Sequence, residues 1–380
     1  MPLRVDTAIP FGNACDIEVL QDGLMPEVRL AADPHGGSER LWFCFRLVSD
    51  SPPERSPAKV RLVLKYPDTM LGGMPPPNMR PVLRTPEKDW ERMEPGTHLD
   101  LTDGRVQAAW TLDAPRLWVE VAFCYPYGRP EVDLLVRETR GCWKADTIGV
   151  SQAARPIVRL SNAAGEEHAH RPGLYFLARQ HSGETPGSWV LDGLLRRMAD
   201  ADTNAPLVWA VPLTNIDGVE QGDYGKDNFP YDLNRAWGQP AMRHEVMVLQ
   251  RDLQRWKKRC RPVIAVDFHA PGGCEVDGAY FYVADPVKEP DQHKADQAWA
   301  ERLAQAVGPE FMAPSFARMA NYPSRWETPS FRHYCRDKLG ICGLCLETPY
   351  ATATKTLLTR EAYREIGKRL ADALLRELAH

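Results

Sequence analysis

Residues 174–189 read LYFLARQHSGETPGSW, and this stretch decides how the larger part of the chain is interpreted. It begins with a compact apolar run, which is typical of a buried strand. The run leads directly into a polar segment that holds His181 and Glu184. Three more runs of the same kind follow, at residues 206–213, 261–268 and 341–347.

Helical patterns occur between and after these runs. Apolar residues recur at helical spacing in two places, at Val246, Leu249, Leu253 and Trp256, and at Tyr363, Ile366, Leu370 and Leu374. Thr359 is a suitable N-cap for the second of these helices. Because strands alternate with helices, we predict an α/β domain over residues 128–380, with a mixed, mostly parallel sheet and helices on both faces.

The first third of the chain has a different pattern. Short runs rich in aromatic and β-branched residues are separated by turn residues, as in RLWFCFRLV from Arg40, VRLVLKY from Val60 and LWVEVAFCY from Leu117. Short strands at this density are typical of an all-β sandwich. We therefore predict an N-terminal β-sandwich domain over residues 1–127, and two domains suit a chain of 380 residues.

The composition of the chain indicates which binding partners and which cellular location to expect. The net charge of -4 and the pI of about 6.2 do not favour a nucleic-acid or anionic-membrane surface, which needs a basic face. No apolar stretch approaches the roughly 20 residues that span a bilayer. The nine cysteines, an odd number scattered along the chain, argue against a disulfide framework. We expect a cytoplasmic protein that binds neither nucleic acid nor membrane.

Metal-competent side chains end three of the four apolar runs. His181 and Glu184 follow the first run, and His269 and Glu347 end the third and fourth. In open α/β sheets ligands bind at the carboxyl ends of the strands, so these groups can share one crevice. Two histidines and a glutamate are a known ligand set for catalytic zinc, which lowers the pKa of bound water to about 7. A carboxylate such as Glu347 can then take the proton of that water and pass it to a leaving amine.

Several ordered segments are similar to those of one enzyme family. Residues 179–189, RQHSGETPGSW, are similar to the family motif RQHPGETPASW. Residues 215–219, NIDGV, are similar to NPDGV, and residues 231–237, YDLNRAW, are similar to DLNR-x-W. The remaining two segments are VDFHA at 266–270 and LETPY at 346–350. FCYPY at 123–127 is similar to a signature at the junction between an N-terminal β-domain and a catalytic domain. Together these segments resemble the zinc metallocarboxypeptidases, in particular the cytosolic carboxypeptidase branch.

The resemblance implies a zinc-dependent carboxypeptidase that hydrolyses the C-terminal residue of peptides or proteins, with acidic residues as candidates. It implies one Zn2+ per chain on His181, Glu184 and His269. Zinc-bound water would attack the scissile carbonyl with Glu347 as general base. Asn234 and Arg235 are implied to clamp the terminal carboxylate, for which the planar fork of arginine is suited.

Two departures from the family pattern, apart from those within the quoted segments, concern the expected site. Gly225 stands where the family has an arginine that polarises the scissile carbonyl. Lys226 and Arg325 are the candidates to replace that cation at the substrate. Pro271 stands where the branch has a second histidine after the third metal ligand. Two alternatives remain open, a zinc amidohydrolase of small N-acyl amino acids and a catalytically weak peptide-binding module.

Overall fold

The structure is a computed structural model that describes residues 3–21, 25–49, 58–73, 75–201, 205–321 and 324–378. The chain divides into two units. The first consists of Met1–Pro126 with Glu220–Tyr224 and Gly272–Val276, and the second consists of Tyr127–Val219, Gly225–Pro271 and Asp277–His380.

The first unit holds ten strands in its described part. They are β1 (Leu3–Asp6), β2 (Cys15–Leu20), β3 (Glu27–Ala31), β4 (Cys44–Ser49), β5 (Lys59–Lys65), β6 (Val82–Arg84), β7 (Glu91–Arg92), β8 (Thr97–Asp100), β9 (Val106–Asp113) and β10 (Trp118–Ala122). They form two five-stranded sheets in the orders β1-β4-β10-β6-β7 and β2-β3-β5-β9-β8. The three aromatic-rich runs give β4, β5 and β10, as predicted. Face-to-face packing of the sheets as a sandwich and the boundary after residue 127 stay predictions.

The second unit is built on one eight-stranded mixed sheet. Its strands are β11 (Lys144–Val150), β12 (Pro156–Ser161), β13 (Pro172–Ala178), β14 (Leu207–Val211), β15 (Arg261–His269), β16 (Ala279–Val283), β17 (Met312–Met319) and β18 (Cys342–Glu347), in the order β11-β12-β14-β13-β15-β18-β16-β17. Two short strands, β19 (Thr352–Ala353) and β20 (Thr356–Leu357), pair separately. The four apolar runs form the adjacent parallel strands β14, β13, β15 and β18. The predicted α/β unit with a large mixed sheet is confirmed.

Seven α-helices lie in the described part of the chain. They are α1 (Arg129–Glu138), α2 (Thr185–Ala199), α3 (Ile216–Gln221), α4 (His244–Lys258), α5 (Pro290–Val307), α6 (Phe331–Tyr334) and α7 (Arg360–Leu378). Two of them, α4 and α7, are the helices predicted from apolar spacing. The Thr359 hydroxyl accepts the Ala362 N–H at 3.2 Å, which confirms its role as a cap of α7. Across the described residues, no helix has both the length and the apolar character needed to cross a membrane.

The central parallel strands bring the predicted site residues to one edge of the sheet. Every residue of β14 is buried, and β13 is buried from Gly173 onward, which explains why these strands read as continuous apolar runs. Ala178 at the end of β13 pairs with Phe268, and His269 at the end of β15 pairs with Glu347 of β18. The polar ends of three strands therefore lie side by side.

Candidate functional site

A tight turn connects β13 to α2 and carries the first two predicted metal ligands. Arg179 begins this turn in a left-handed conformation with φ of 64°, which is costly for a residue with a side chain. Its own buried guanidinium stabilises the turn. Nε donates to the Ser182 carbonyl at 2.7 Å, and Nη1 donates to the Tyr127 carbonyl at 2.7 Å. Arg179 therefore has a structural role in fixing the loop that holds His181.

Glycine at the start of α2 allows the helix to approach the end of β15. A Cβ added to Gly187 would lie 2.5 Å from the Phe268 carbonyl oxygen, so a larger residue would push the helix away. Close packing here brings Glu184, the residue just before α2, against His269. The same approach lets the Ala270 N–H donate to Glu184 Oε2 at 3.1 Å.

The three residues predicted to bind metal lie together. Nδ1 of His181 is 2.8 Å from Oε1 of Glu184, and Nδ1 of His269 is 2.7 Å from Oε2 of the same carboxylate. One ligand atom of each residue lies within 4.8 Å of the others, and all three side chains are buried. Two imidazoles and one carboxylate at this spacing form a donor set that zinc accepts while a further position stays open.

A carboxylate lies behind each imidazole. Nε2 of His181 is 3.1 Å from Oδ1 of Asp232, and Nε2 of His269 is 2.6 Å from Oδ2 of Asp267. Such partners favour a proton on Nε2 and leave the Nδ1 lone pair for a cation. Burial alone would lower the pKa of both histidines, but the surrounding carboxylates outweigh it and raise the pKa of each. This acid-rich surrounding suits a divalent cation.

Glu347 occupies the position opposite His269 on the neighbouring strand. Its side chain is buried, Oε1 lies 3.6 Å from the Cys345 thiol, and Oε2 has no hydrogen-bond partner among the described residues. Burial raises the pKa of the Glu347 carboxyl to about 7; the positive charges of His269 and Lys226 oppose this shift, and the negative charge of Glu184 adds to it. A carboxyl group with a pKa near neutrality and an unused oxygen is suited to proton transfer.

A cavity of about 320 Å3 lies over these groups. Among the residues that line it are His181, His269, Glu347, Asn234, Arg235 and Lys226. Arg325 is the one predicted substrate-binding residue that is not in its lining. The Arg325 guanidinium pairs with Asp227 instead, and its side chain is 52% exposed.

Asn234 and Arg235 lie in a short 3-10 helix, Leu233–Arg235, that begins after Asp232. Oδ1 of Asp232 accepts the Asn234 N–H at 2.7 Å. The Asn234 amide nitrogen lies 3.2 Å from Nε2 of His269, so this residue contacts the imidazole cluster. Arg235 is half-buried, and its Nη1 donates to the Asn234 carbonyl at 3.0 Å. The guanidinium is thereby held at the wall of the cavity.

The structure gives a steric reason for the departure at Gly225. This residue has φ of 81°, and an added Cβ would lie 2.3 Å from Oγ and 2.6 Å from N of Ser182. An arginine at position 225 would therefore collide with the turn that carries His181. Lys226, the next residue, lines the cavity, and its charge lowers the pKa of Glu347. A cation is present at the cavity, one residue later than the family pattern places it.

The side chains at or around the cavity that were not predicted from the sequence include Asp232, Asp267, Trp326 and Arg332. Asp267 carried a signal, because it lies two residues before His269 on a strand and so shares its face. Asp232 lies within the YDLNRAW segment but had no assigned role. Trp326 and Arg332 belong to a segment without clear periodicity, so only the fold brings them to the site.

Comparison with curated proteins finds relatives named carboxypeptidases, although no family model matches the chain. Cytosolic carboxypeptidase 6 of Mus musculus is 24% identical over 258 residues, which cover 63% of this chain and 47% of that protein. The Homo sapiens protein of the same name is 25% identical over 221 residues, which cover 53% of this chain and 43% of that protein. The chain thus spans less than half the length of these relatives.

Solved structures share the fold over the whole chain. A metallo-carboxypeptidase from Burkholderia cenocepacia has a TM-score of 0.77 at 18% identity and covers 100% of this chain and 99% of that one. A metallo-carboxypeptidase from Pseudomonas aeruginosa, in complex with (2-guanidinoethylmercapto)succinic acid, has a TM-score of 0.74 at 19% identity and covers 100% of both chains. At these identities the likeness is one of fold.

Proposed function

Because the chain belongs to the metallocarboxypeptidases, in their cytosolic carboxypeptidase-like branch, we propose that it removes the C-terminal residue of peptides or proteins in a zinc-dependent reaction. The observation that carries this proposal is the convergence of three groups on one cavity: the His181–Glu184–His269 cluster, the buried carboxyl of Glu347 and the guanidinium of Arg235. The names of the relatives support a cytoplasmic location.

Each group at the cavity has a distinct task in this reaction. His181, Glu184 and His269 would hold a zinc ion, which would supply Lewis acidity to water and to the scissile carbonyl. Glu347 accepts a proton from the attacking water and donates it to the leaving amine. Lys226 stabilises the negative charge that develops on the carbonyl oxygen.

The substrate is held by its terminal carboxylate. Arg235 offers a planar fork of N–H donors, which suits a carboxylate in a bidentate arrangement. Asn234 lies beside it and supplies a further amide donor. Both residues lie in one short helix that Asp232 caps, so they move as a unit with the carboxylate behind His181. This arrangement sets the distance between the terminal carboxylate and the reacting carbonyl.

We further propose that the removed residue is acidic. Arg332 lies in the cavity wall with its side chain 13% exposed, and its Nη1 donates to the Tyr282 carbonyl at 3.3 Å and to Asp296 at 3.5 Å. Every hydrogen bond that Arg332 makes with described residues leaves from Nη1, so Nη2 is available for a substrate carboxylate. Burial lowers the pKa of the adjacent His333 to about 4, and the charges of Arg332 and Arg336 add to the shift. His333 is therefore neutral at pH 7, and Arg332 is the cation at this wall.

Peptides that differ only in their C-terminal residue test both the activity and the preference. With zinc supplied, mass spectrometry should show loss of one terminal residue, fastest for glutamate or aspartate. A hydrogen bond to a charged group contributes about 1.5–3 kcal/mol, so Arg332→Gln should lower kcat/KM for a glutamate peptide roughly ten- to hundredfold. The rate on a leucine peptide should change little.

Arg336→Gln is the matched control for this experiment. Arg336 lies in the next turn, pairs with Asp337 and Glu289, and is not among the cavity-lining residues. Its replacement should leave the preference intact. Release of no residue from any peptide would contradict the carboxypeptidase function, whereas equal rates on glutamate and leucine peptides would contradict the acidic preference alone.

Metal content provides a second test. Purified protein supplied with zinc should hold about one ion per chain, and His269→Ala should lose most of it, because one of three protein donors is missing. His170→Ala, which alters a histidine that does not line this cavity, is the control and should retain the metal. Metal can be measured by inductively coupled plasma mass spectrometry after dialysis. Wild-type protein that retains no zinc under these conditions would overturn the assignment.

A further inference from the structure

Three aromatic side chains lie together beside the cavity, and we call Phe229, Tyr231 and Trp326 the aromatic rim. Trp326 lines the cavity itself. The centroid of one of its rings is 4.6 Å from that of Tyr231 and 6.4 Å from that of Phe229, with the Phe229 contact edge-to-face at 83°. Phe229 is 74% exposed. None of these rings has a task in the reaction described above.

Hydrogen bonds hold Trp326 in place. Its indole N–H donates to Asp227 at 3.1 Å. Its backbone N–H donates to the Ser324 hydroxyl at 3.2 Å, and that hydroxyl donates to the Trp326 carbonyl at 2.9 Å. The Ser324 hydroxyl also accepts a hydrogen bond from Nε of Arg235, at 3.3 Å. The Asp227 N–H donates to Asp232 at 3.0 Å. The aromatic rim is therefore connected both to the terminal-carboxylate clamp and to the carboxylate behind the metal ligands.

An exposed phenylalanine in this position is unfavourable for the free protein. A Phe side chain left in water forgoes the favourable free energy of burial, about 1.5–3 kcal/mol. Isolated exposed apolar residues are common, but a cluster of rings on a fixed scaffold beside a cavity is typical of a binding surface. The cluster also offers ring edges and faces for a further aromatic side chain.

Continuity with the cavity identifies the occupant. A substrate whose C-terminal residue lies in a cavity of about 320 Å3 must extend the rest of its chain past the wall of that cavity. Trp326 is part of this wall, its rings contact Phe229 and Tyr231, and Phe229 is exposed to solvent. A substrate side chain N-terminal to the cleaved bond is the occupant that this continuity favours.

We propose that the aromatic rim binds an aromatic or large aliphatic side chain upstream of the scissile bond. The enzyme then selects peptides by their internal sequence as well as by their terminal residue. This inference rests on the proposed carboxypeptidase function, since it assigns a subsite for that substrate.

Acetylated pentapeptides test this subsite. They carry C-terminal glutamate and glycine elsewhere, with one phenylalanine moved through the four upstream positions. At one position or more, phenylalanine should raise kcat/KM about tenfold over the all-glycine peptide, in line with aromatic packing energies. In the Phe229→Ala variant, the kcat/KM values of the phenylalanine peptide and the all-glycine peptide should lie within about twofold of each other. Val287→Ala, which alters a side chain that is 88% exposed and does not line the cavity, should keep the tenfold ratio.

Calorimetric binding of the same peptides separates the two ways to fail. If no peptide is hydrolysed, the carboxypeptidase function is contradicted, and the binding data still decide the subsite. Phenylalanine peptides that bind no tighter than the all-glycine peptide would overturn the subsite, even where both are cleaved. A tenfold gain that persists in Phe229→Ala would overturn it as well.

Discussion

Glu347→Gln should abolish hydrolysis while leaving zinc binding and the fold intact. The amide has nearly the same shape as the carboxyl group but cannot accept a proton from water. General acid–base catalysis contributes about 10²–10⁴ in rate, so kcat should fall by at least two powers of ten. Hydrolysis of a glutamate-terminated peptide measures the loss. Metal analysis of the same sample checks that the donor cluster is unaffected.

Stability of the metal-free protein gives an independent check on the environment of Glu347. Burial raises the pKa of this carboxyl group from an ordinary value of 4.5 to about 7. Because the folded-state pKa is the higher one, the unfolded state loses its proton first, and this residue costs stability as the pH rises from about 4.5 to 7. Glu347→Gln lacks that cost. Its Tm at pH 8 should therefore equal or exceed that of the wild type.

A second cavity-lining carboxylate serves as the control. Glu327→Gln changes the charge of the same cavity and should retain most of the activity. If Glu347→Gln keeps more than about a tenth of the wild-type rate, far above the loss expected for a general base, the base lies elsewhere. If the wild type binds these peptides and releases no residue, the catalytically weak peptide-binding module is the better description.

The sheet could be predicted from sequence because its central strands are buried on both faces. Burial on both faces gives continuous apolar runs, and the runs at residues 174–180, 206–213, 261–268 and 341–347 all became adjacent parallel strands. Since parallel strands end at the same edge, the clustering of His181, Glu184 and His269 followed from the order of the runs. The position of Glu347 beside this cluster could be predicted for the same reason.

Other parts of the fold carried weaker signals. Strand β17 at the sheet edge reads MAPSFARM, with six of its eight residues at least partly exposed and a proline inside, so it lacks the pattern of a buried strand. Strand β16, AYFYV, did have a strand-like composition and was not predicted. Arg332 and Trp326 depend on the path of the chain between β17 and β18. No spacing in the sequence specifies that path.

Peptides with a free C-terminal carboxylate should be cleaved faster than their C-terminal amides. Arg235 lines the cavity and is half-buried, with Nη1 bonded to the Asn234 carbonyl at 3.0 Å. An amide in place of the carboxylate removes the negative charge on the substrate that Arg235 would bind. Loss of the partner of a fully buried charge costs about 3–5 kcal/mol. Arg235 keeps some contact with solvent, so a hydrogen bond to a charged group, about 1.5–3 kcal/mol, is the better guide.

This free energy corresponds to a ten- to hundredfold preference in kcat/KM for the acid, at about 1.4 kcal/mol for each factor of ten. Arg235→Ala should lose most of the activity on the acid and most of the preference. Arg235→Lys keeps the charge without the fork and should lie between the two. Arg325→Ala is the control, because its side chain pairs with Asp227 and is not among the residues that line the cavity.

The length of the substrates that the wild type hydrolyses separates an exopeptidase from the zinc amidohydrolase alternative. Recognition through Arg235 requires only a terminal carboxylate, so an exopeptidase should cleave long and short free-acid peptides alike. An amidohydrolase of small N-acyl amino acids should also prefer the free acid, but it should hydrolyse N-acetylglutamate and leave a pentapeptide untouched. Equal cleavage of acid and amide pentapeptides by the wild type would remove the terminal clamp from the mechanism. The metal centre and Glu347 would then still describe a hydrolase, but one that does not recognise the end of its substrate.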